Sequence, residues 1–189
     1  EAIPGLKKAE LIEGVVHMPS PAKLKRHGKP HMHAATWIGT YAAYQPKAEA
    51  ADNASVLLDF DNEYQPDVFL RWLPEHGGQS RTTEDDFVAG APELTVEIAS
   101  SSAGYDLHAK KNAYLRNGVR EYLVWITRES RIVWWKLVNG EYVEIEPEAD
   151  GLLKSTVFPG LWLDAPAMLQ GDLATVLTRL QEGLRPAAS

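Results

Sequence analysis

The order of apolar and polar positions along the chain predicts alternating strands and helices. Apolar residues flank Gly14 within segment 10–18, and this pattern is typical of two short strands joined by a tight turn. Segment 31–44 is rich in alanine and aromatic residues, which predicts a largely buried helix. Residues 18–30 contain three prolines and several basic side chains, so we expect a loop there.

The remaining apolar runs predict a strand-rich middle and a helical end. The predicted elements, in chain order, are strands at 54–60 and 66–72 with a turn at 61–65, a loop at 74–81, a central strand at 93–99, a helix at 105–116 capped by Ser100 to Ser102 and ended by Asn117-Gly118, strands at 119–126, 131–138 and 141–146, an extended segment at 156–163 and a helix from 165 to about 184.

This order predicts an α/β (α+β) fold: a mixed β-sheet flanked by helices, with an N-terminal β-hairpin and a C-terminal β-meander. We find no linker composition or repeat, so we expect one domain over residues 1–189. The last residues, from about 185 to 189, are expected to fray.

Composition narrows the chemistry that such a fold could perform. The chain has 189 residues, 44% of them hydrophobic, and no cysteine, which excludes disulfides, thiolate metal sites and cysteine nucleophiles. A cysteine-free chain without a long apolar run fits the cytoplasm, and we expect no membrane partner. The net charge of −7 argues against general coating of nucleic acid, although carboxylates that bind metal would themselves form a negative patch.

Two carboxylates and a lysine have the arrangement used in metal-dependent phosphodiester hydrolysis. Asp67 opens one predicted strand, and Glu97 lies on the central strand that comes next. Mg²⁺ prefers oxygen ligands and keeps several waters, so one or two carboxylates can hold it. A nearby lysine can stabilise the charge that develops on the phosphate.

Glu97 permits two interpretations. Strand alternation places Leu94, Val96 and Ile98 on one face and Glu97 on the other. Glu97 then either lies on a solvated face or is buried, and a buried carboxylate needs a partner or a metal.

Lys110 also has two interpretations. A lysine is absent two positions after Glu97, where Ala99 stands, but Asp106, Lys110 and Tyr114 share one face of the predicted helix. Lys110 either projects from that helix to the site or forms a helix pair with Asp106 that contributes about 0.2–0.5 kcal/mol. Lys111 is an alternative to Lys110, but it lies about 100° further around the helix.

Residues 96–126, VEIASSSAGYDLHAKKNAYLRNGVREYLVWI, resemble the most characteristic segment of the Uma-two family, a bacterial branch of the PD-(D/E)XK nuclease superfamily. The shared features are a strand with Glu97, a serine-rich loop, Asp106, Lys110 and Tyr114 spaced by four, then Gly118-Val119 and Glu121-Tyr122. QPDVFLR, ELIEGVVHMPSP and FPGLWLD resemble further family segments. The chain departs from the family pattern at Ala9, Val15 and Ser101.

The resemblance implies a restriction-endonuclease-like core and metal-dependent endonuclease activity on DNA. It implies that Asp67, Glu97 and Glu10 hold Mg²⁺, or Mn²⁺, that Lys110 is the catalytic lysine, and that the protein is a homodimer. One alternative is a catalytically inactive module on the same fold that binds nucleic acid or protein. Another is an unrelated interaction domain rich in tryptophan.

Histidines near the first predicted helix raise the question of a second metal site. His27 and His31 are four positions apart. Gly28 and Pro30 lie between them, so we do not expect one continuous helix. Zinc needs three or four convergent protein ligands. We therefore expect loop and helix-cap histidines, one of which can contact a phosphate.

A basic run precedes the same helix and has two equally supported interpretations. It consists of Lys23, Lys25, Arg26 and Lys29. These side chains either form a solvated loop or contact the backbone of a nucleic acid.

Overall fold

The computed structural model describes residues 9–18, 23–100, 104 and 106–185. It arranges them as two six-stranded mixed β-sheets, a two-stranded antiparallel sheet formed by Leu153–Lys154 and Trp162–Leu163, and helices. The strands are β1 (Glu10–Ile12), β2 (Val15–His17), β3 (Ala48–Ala51), β4 (Val56–Asp59), β5 (Asn62–Tyr64), β6 (Val68–Trp72), β7 (Arg81–Thr82), β8 (Val88–Ala89), β9 (Leu94–Ala99), β10 (Glu121–Ile126), β11 (Arg131–Val138), β12 (Glu141–Glu144), β13 (Leu153–Lys154) and β14 (Trp162–Leu163). The α-helices are α1 (Lys29–Tyr44), α2 (Lys111–Arg116), α3 (Ala165–Gln170) and α4 (Leu173–Leu184).

Shorter helical turns precede two of these helices. A π-helical turn, Leu24–Gly28, runs directly into α1, and a second, Asp106–Lys110, runs directly into α2. A 3₁₀ turn, Pro74–His76, follows β6.

The central sheet has the strand order β12-β11-β10-β9-β6-β3. Strands β9 and β10 are parallel and are buried along their whole length, which explains their nearly continuous apolar sequences. The connection between them contains α2. Strands β10, β11 and β12 form an antiparallel meander, as the sequence predicts.

The two faces of the central sheet pack against different elements. One face carries Val96 and Ile98 and packs against α1, α3 and α4. The opposite face carries Ala99 and Tyr122 and packs against α2 and β1. Side chains that alternate along β9 therefore reach two separate environments.

The second sheet, with the order β2-β1-β5-β4-β8-β7, begins with the predicted hairpin. Its turn residues Glu13 and Gly14 have φ angles of 52° and 73°, as a two-residue turn between twisted strands requires. The Gly14 amide donates to the Asp61 carbonyl oxygen at 2.9 Å, and β1 pairs with β5. This pairing fixes the position of Glu10 relative to Gln65.

Three local predictions are wrong. Helical structure begins at Leu24, inside the loop expected over 18–30, and Pro30 lies in the first turn of α1. The turn expected at 61–65 contains β5, which pairs with β4 and β1. The helix expected from 165 is divided, because Gly171 adopts a φ of 79° and Asp172 caps α4.

Other expectations are met or fall outside what is described. The helix predicted at 105–116 agrees with Asp106–Arg116. Ser101, Ser102 and residues 186–189 lie outside the described residues, and with them the serine cap and the frayed end. One domain over 1–189 stays a prediction. Within the described part of the chain, no helix is long and apolar enough to cross a membrane.

Candidate active site

Glu97 is buried on the face of β9 that packs against α2. Its exposed fraction is 4%, so the interpretation that it lies on a solvated face is wrong. Its Oε1 atom accepts two hydrogen bonds, from Lys110 Nζ at 3.1 Å and from the Tyr114 hydroxyl at 2.9 Å. A carboxylate at this depth is tolerated because charged and polar donors meet it there.

Lys110 ends the π-helical turn before α2 and projects into the same buried space. Its exposed fraction is 6%, and its Nζ atom lies 3.0 Å from Glu10 Oε1 as well as 3.1 Å from Glu97 Oε1. The side chain of Asp106, its alternative partner, lies outside the described residues. Lys110 therefore joins two carboxylates that come from different sheets.

Lys111, the alternative lysine, lies in different surroundings. Its Nζ atom is 3.9 Å from the centroid of the Trp135 ring. Burial lowers the pKa of this lysine below its usual range. The rotation between neighbouring helix positions thus separates the two lysines.

Tyr114 lies one helical turn after Lys110 and is completely buried. Burial raises the pKa of its hydroxyl well above the usual range, and the charges of Glu97 and Glu10 raise it further. The hydroxyl therefore stays protonated and donates to Glu97. The aromatic rings of Tyr64 and Tyr122 pack beside it, with centroids 5.2 and 5.0 Å away.

Glu10 reaches the site from β1 of the hairpin. Its exposed fraction is 7%. Its Oε1 atom accepts a hydrogen bond from the backbone amide of Gln65 at 3.0 Å, in addition to the bond from Lys110. The hairpin pairing with β5 therefore orients this carboxylate.

Asp67 directly precedes β6 and is 4% exposed. Strand β6 pairs antiparallel with β9, with Val68 opposite Val96, and continuing this register by one residue places Asp67 opposite Glu97. The Ile98 amide donates to Asp67 Oδ2 at 2.8 Å. Both carboxylates therefore belong to one buried region where two strands meet.

Two histidines cover the Asp67 side of this region. His27 Nε2 lies 3.3 Å from Asp67 Oδ1, and its Nδ1 donates to the Ile98 carbonyl oxygen at 3.2 Å. His31 Nε2 donates to the Asp67 carbonyl oxygen at 2.8 Å, and the two imidazole rings stack. The expectation that these histidines do not share a helix is wrong, because the π-helical turn continues into α1.

The family model described as "Uma2: Putative restriction endonuclease" matches residues 2–166 of this chain. The chain belongs to the Uma2 family. The match includes Glu10, Asp67, Glu97 and Lys110, and it confirms the resemblance found in the sequence.

A solved structure shares the fold of this Uma2 family member. It is the crystal structure of a putative nuclease belonging to DUF820 from Anabaena variabilis, with 18% sequence identity and a TM-score of 0.65. The similarity covers 86% of this chain and 90% of that one. Comparison with curated proteins finds no match. The restriction-endonuclease-like fold is therefore confirmed.

The donor chemistry of the site fits a hard divalent cation. Glu10 and Glu97 contact the buried Lys110, Asp67 is buried at the end of the neighbouring strand, and oxygen ligands are those that Mg²⁺ and Mn²⁺ prefer. Among the described residues, no group of three or more histidine and acidic side chains is spaced to hold a metal. One or two carboxylates can hold Mg²⁺ when water completes its coordination.

The sequence pattern does not indicate that the Tyr64 ring lies beside Lys110, or that His27 contacts Asp67. Tyr64 lies under Lys110, whose Nζ is 5.7 Å from the centroid of the Tyr64 ring. The only signal for Tyr64 is its alternation with Asn62, inside a segment whose composition predicts a turn. His27 is the third residue before Pro30, and the prolines of this segment predict a loop where the structure has a helical turn.

Proposed function

We propose that this protein is a metal-dependent endonuclease that hydrolyses phosphodiester bonds in DNA. Asp67 and Glu97 hold Mg²⁺ or Mn²⁺, Glu10 contributes a third carboxylate, and Lys110 is the catalytic lysine. The observation that carries the proposal is the buried contact between helix-borne Lys110 and Glu97, in a chain of the Uma2 family. The lysine missing at position 99 is thus replaced from the turn that leads into α2.

Each side chain has a role that follows from its contacts. A bound divalent ion would polarise the phosphate and make water a stronger nucleophile. Lys110 supplies a fixed positive charge where negative charge develops on the phosphate, and burial strengthens that attraction. Tyr114 holds the Glu97 carboxylate in one orientation through its 2.9 Å hydrogen bond.

A homodimer is part of this proposal. Cutting both strands of a duplex needs two active sites, and two identical subunits related by twofold symmetry provide them. We expect a dimer mass by light scattering at micromolar concentration. A monomer mass, with cleavage of both strands retained, would reject this arrangement.

A second function, a catalytically inactive module that binds nucleic acid or protein, has its own support. Ala99 stands where a lysine follows the strand glutamate in the strict nuclease pattern. The described residues also contain no group of three metal-type side chains at ligand spacing. This module would retard DNA in a gel without cutting it under any divalent metal.

Calorimetric titration with Mn²⁺ and Mg²⁺ separates these functions. We expect the wild type to bind metal, and we expect Glu97→Gln and Asp67→Asn to lose that binding. Glu141→Gln is the matched control, because Glu141 is an exposed glutamate on β12. Absence of binding to the wild type at millimolar metal, with DNA present, would favour the inactive module.

A cleavage assay on plasmid DNA then tests the lysine. Lys110→Met removes the charge while keeping an unbranched side chain of similar length, and circular dichroism verifies that the variant is folded. We expect metal binding to remain and cleavage to disappear. Cleavage at the wild-type rate would reject Lys110 as the catalytic lysine. A parallel assay with RNA of the same sequence tests whether the substrate is DNA.

A further inference from the structure

Positive charge is concentrated in one part of this acidic chain. Segment 14–48 contains five lysine and arginine residues, four of the six histidines, and no aspartate or glutamate, whereas the whole chain has a net charge of −7. A uniform distribution of acidic residues would place several in a segment of this length. The segment is therefore a local region of positive potential on an acidic protein.

This region borders the candidate active site. Arg26 directly precedes His27, whose Nε2 atom lies 3.3 Å from Asp67 Oδ1. The Thr127 hydroxyl donates to the Arg26 carbonyl oxygen at 2.9 Å, which ties the turn to the end of β10. Main-chain and histidine contacts therefore hold the π-helical turn beside the carboxylates, and its cationic side chains are not needed for that anchoring.

Four cationic side chains project from this segment into solvent, and we call them the basic turn: Lys23, Lys25, Arg26 and Lys29. Within the part of the chain that the structure describes, none of the four forms a side-chain hydrogen bond or an ion pair. They also stand at the start of a helix with no acidic residue in its first turn, where cations oppose the helix dipole. No ion pair of the described chain therefore accounts for these four positions.

We infer that the basic turn is a contact surface for the sugar–phosphate backbone of the nucleic acid, beside the bond to be cut. The inference rests on the proposed function and identifies where its substrate binds. Phosphates recur about every 3.4 Å along one strand, and helical residues about every 1.5 Å along the axis. Cations one to four positions from His27 therefore lie within a few phosphates of a group held at Asp67.

Phosphodiester backbone suits this surface better than an acidic protein does. Contacts to phosphate use flexible, solvated lysine and arginine side chains and give no sequence selectivity. The neighbouring buried carboxylates and lysine fit chemistry on the same phosphodiester chain. The surface therefore supplies affinity and orientation, while the buried site supplies the reaction.

The test compares two triple variants that remove the same charge. The first is Lys25→Gln/Arg26→Gln/Lys29→Gln, and the control, at exposed positions outside segment 14–48, is Arg81→Gln/Arg120→Gln/Arg185→Gln. Fluorescence anisotropy with a labelled DNA duplex in EDTA measures binding without cleavage, at several salt concentrations. Thermal denaturation verifies that both variants fold.

We expect the basic-turn variant to bind DNA at least about tenfold more weakly than wild type, with a melting temperature that is unchanged or higher. The slope of log affinity against log salt should fall in magnitude by about 0.9 for each phosphate that the variant no longer neutralises. The control variant should show a much smaller decrease in either quantity. Equal weakening in both variants would overturn the inference, because only overall charge would then matter.

Failure of this inference can be distinguished from failure of the proposed function. Metal-dependent cleavage with the same KM in wild type and the basic-turn variant would support the proposed endonuclease function and reject the basic turn as a contact surface. DNA binding that needs the basic turn, without cleavage under any metal, would support the basic turn as a contact surface and reject the endonuclease function. Absence of DNA binding, with binding to phosphatidylserine vesicles that the variant loses, would overturn the inference in favour of an anionic membrane.

Discussion

Lys110 and Glu10 are one hundred positions apart in the chain, yet the Lys110 Nζ atom lies 3.0 Å from Glu10 Oε1 in the protein interior. The contact joins the N-terminal hairpin to the turn that precedes α2, and Glu97 on β9 accepts a second bond from the same ammonium group. A buried cation between two buried carboxylates makes the candidate site part of the protein core.

Replacing Lys110 should therefore destabilise the protein. Lys110→Ala leaves Glu10 and Glu97 buried without their cation, and we expect the free energy of unfolding to fall by about 3–5 kcal/mol in urea denaturation. Lys111→Ala is the control and should lose about 1 kcal/mol or less, since Lys111 is only half-buried and its cation lies over the Trp135 ring. A decrease under about 1 kcal/mol for Lys110→Ala would show that water reaches these carboxylates.

Removing the Tyr114 hydroxyl tests the hydrogen bond that orients Glu97. Tyr114→Phe keeps the buried ring but deletes the donor to a carboxylate, so we expect the free energy of unfolding to fall by about 1.5–3 kcal/mol in urea denaturation. Tyr44→Phe, at a ring that is 64% exposed, should leave stability unchanged. Equal stability of Tyr114→Phe and Tyr44→Phe would contradict the hydrogen bond from Tyr114 to Glu97.

We expect the stability of the protein to depend on pH through the buried carboxyl of Glu121. Burial raises the pKa of its carboxyl above the ordinary value of 4.5, although hydrogen bonds from Ser155, Thr156 and Val157 oppose the shift. The folded protein therefore holds this proton more tightly than the unfolded chain does. The stability that the group contributes is complete below pH 4.5 and is lost as pH rises through the folded pKa.

The measurement is urea denaturation of wild type and Glu121→Gln at several pH values above 4.5. The difference in stability, wild type minus variant, should fall as pH rises, because glutamine does not titrate. Glu141→Gln, at an exposed position, should show no such trend. A difference that grows with pH would mean that hydrogen bonding to the charged carboxylate outweighs burial.

A glycine on α4 permits close contact with the turn before β14. A Cβ atom at Gly183 would overlap the carbonyl oxygen of Gly160 and lie 2.7 Å from Cδ2 of Trp162. We expect Gly183→Ala to lower stability by about 1–3 kcal/mol in thermal denaturation. Gly39→Ala, on α1 with no atom within 4 Å of the added Cβ, should raise stability by about 0.5–1 kcal/mol. Unchanged stability in Gly183→Ala would show that α4 shifts freely.

Features that depend on local periodicity could be predicted from the sequence. The hairpin around Gly14, strand β9 and the helix that carries Lys110 all follow from the spacing of apolar residues and from turn signals. Alternation along β9 also separates Glu97 from the face that packs against α1.

Features that depend on distant partners could not be predicted in this way. Strand β5 exists because β1 and β4 pair with it, although its three residues look like a turn. The helix that carries His27 continues through Gly28 because His27 is held by Asp67 and Ile98, and these contacts outweigh the local signal. The contact of Lys110 with Glu10 depends on how the two sheets pack together, which no local pattern encodes.

The shared burial of Lys110, Glu10 and Glu97 also limits how this lineage can change by mutation. Loss of Lys110 alone would leave two buried carboxylates without their cation and would reduce the amount of folded protein in the cell. Relatives in which Lys110 serves no reaction are therefore expected either to keep all three residues or to replace them together with apolar ones. Among relatives, conservation of the three residues would then record selection for folding as much as selection for catalysis.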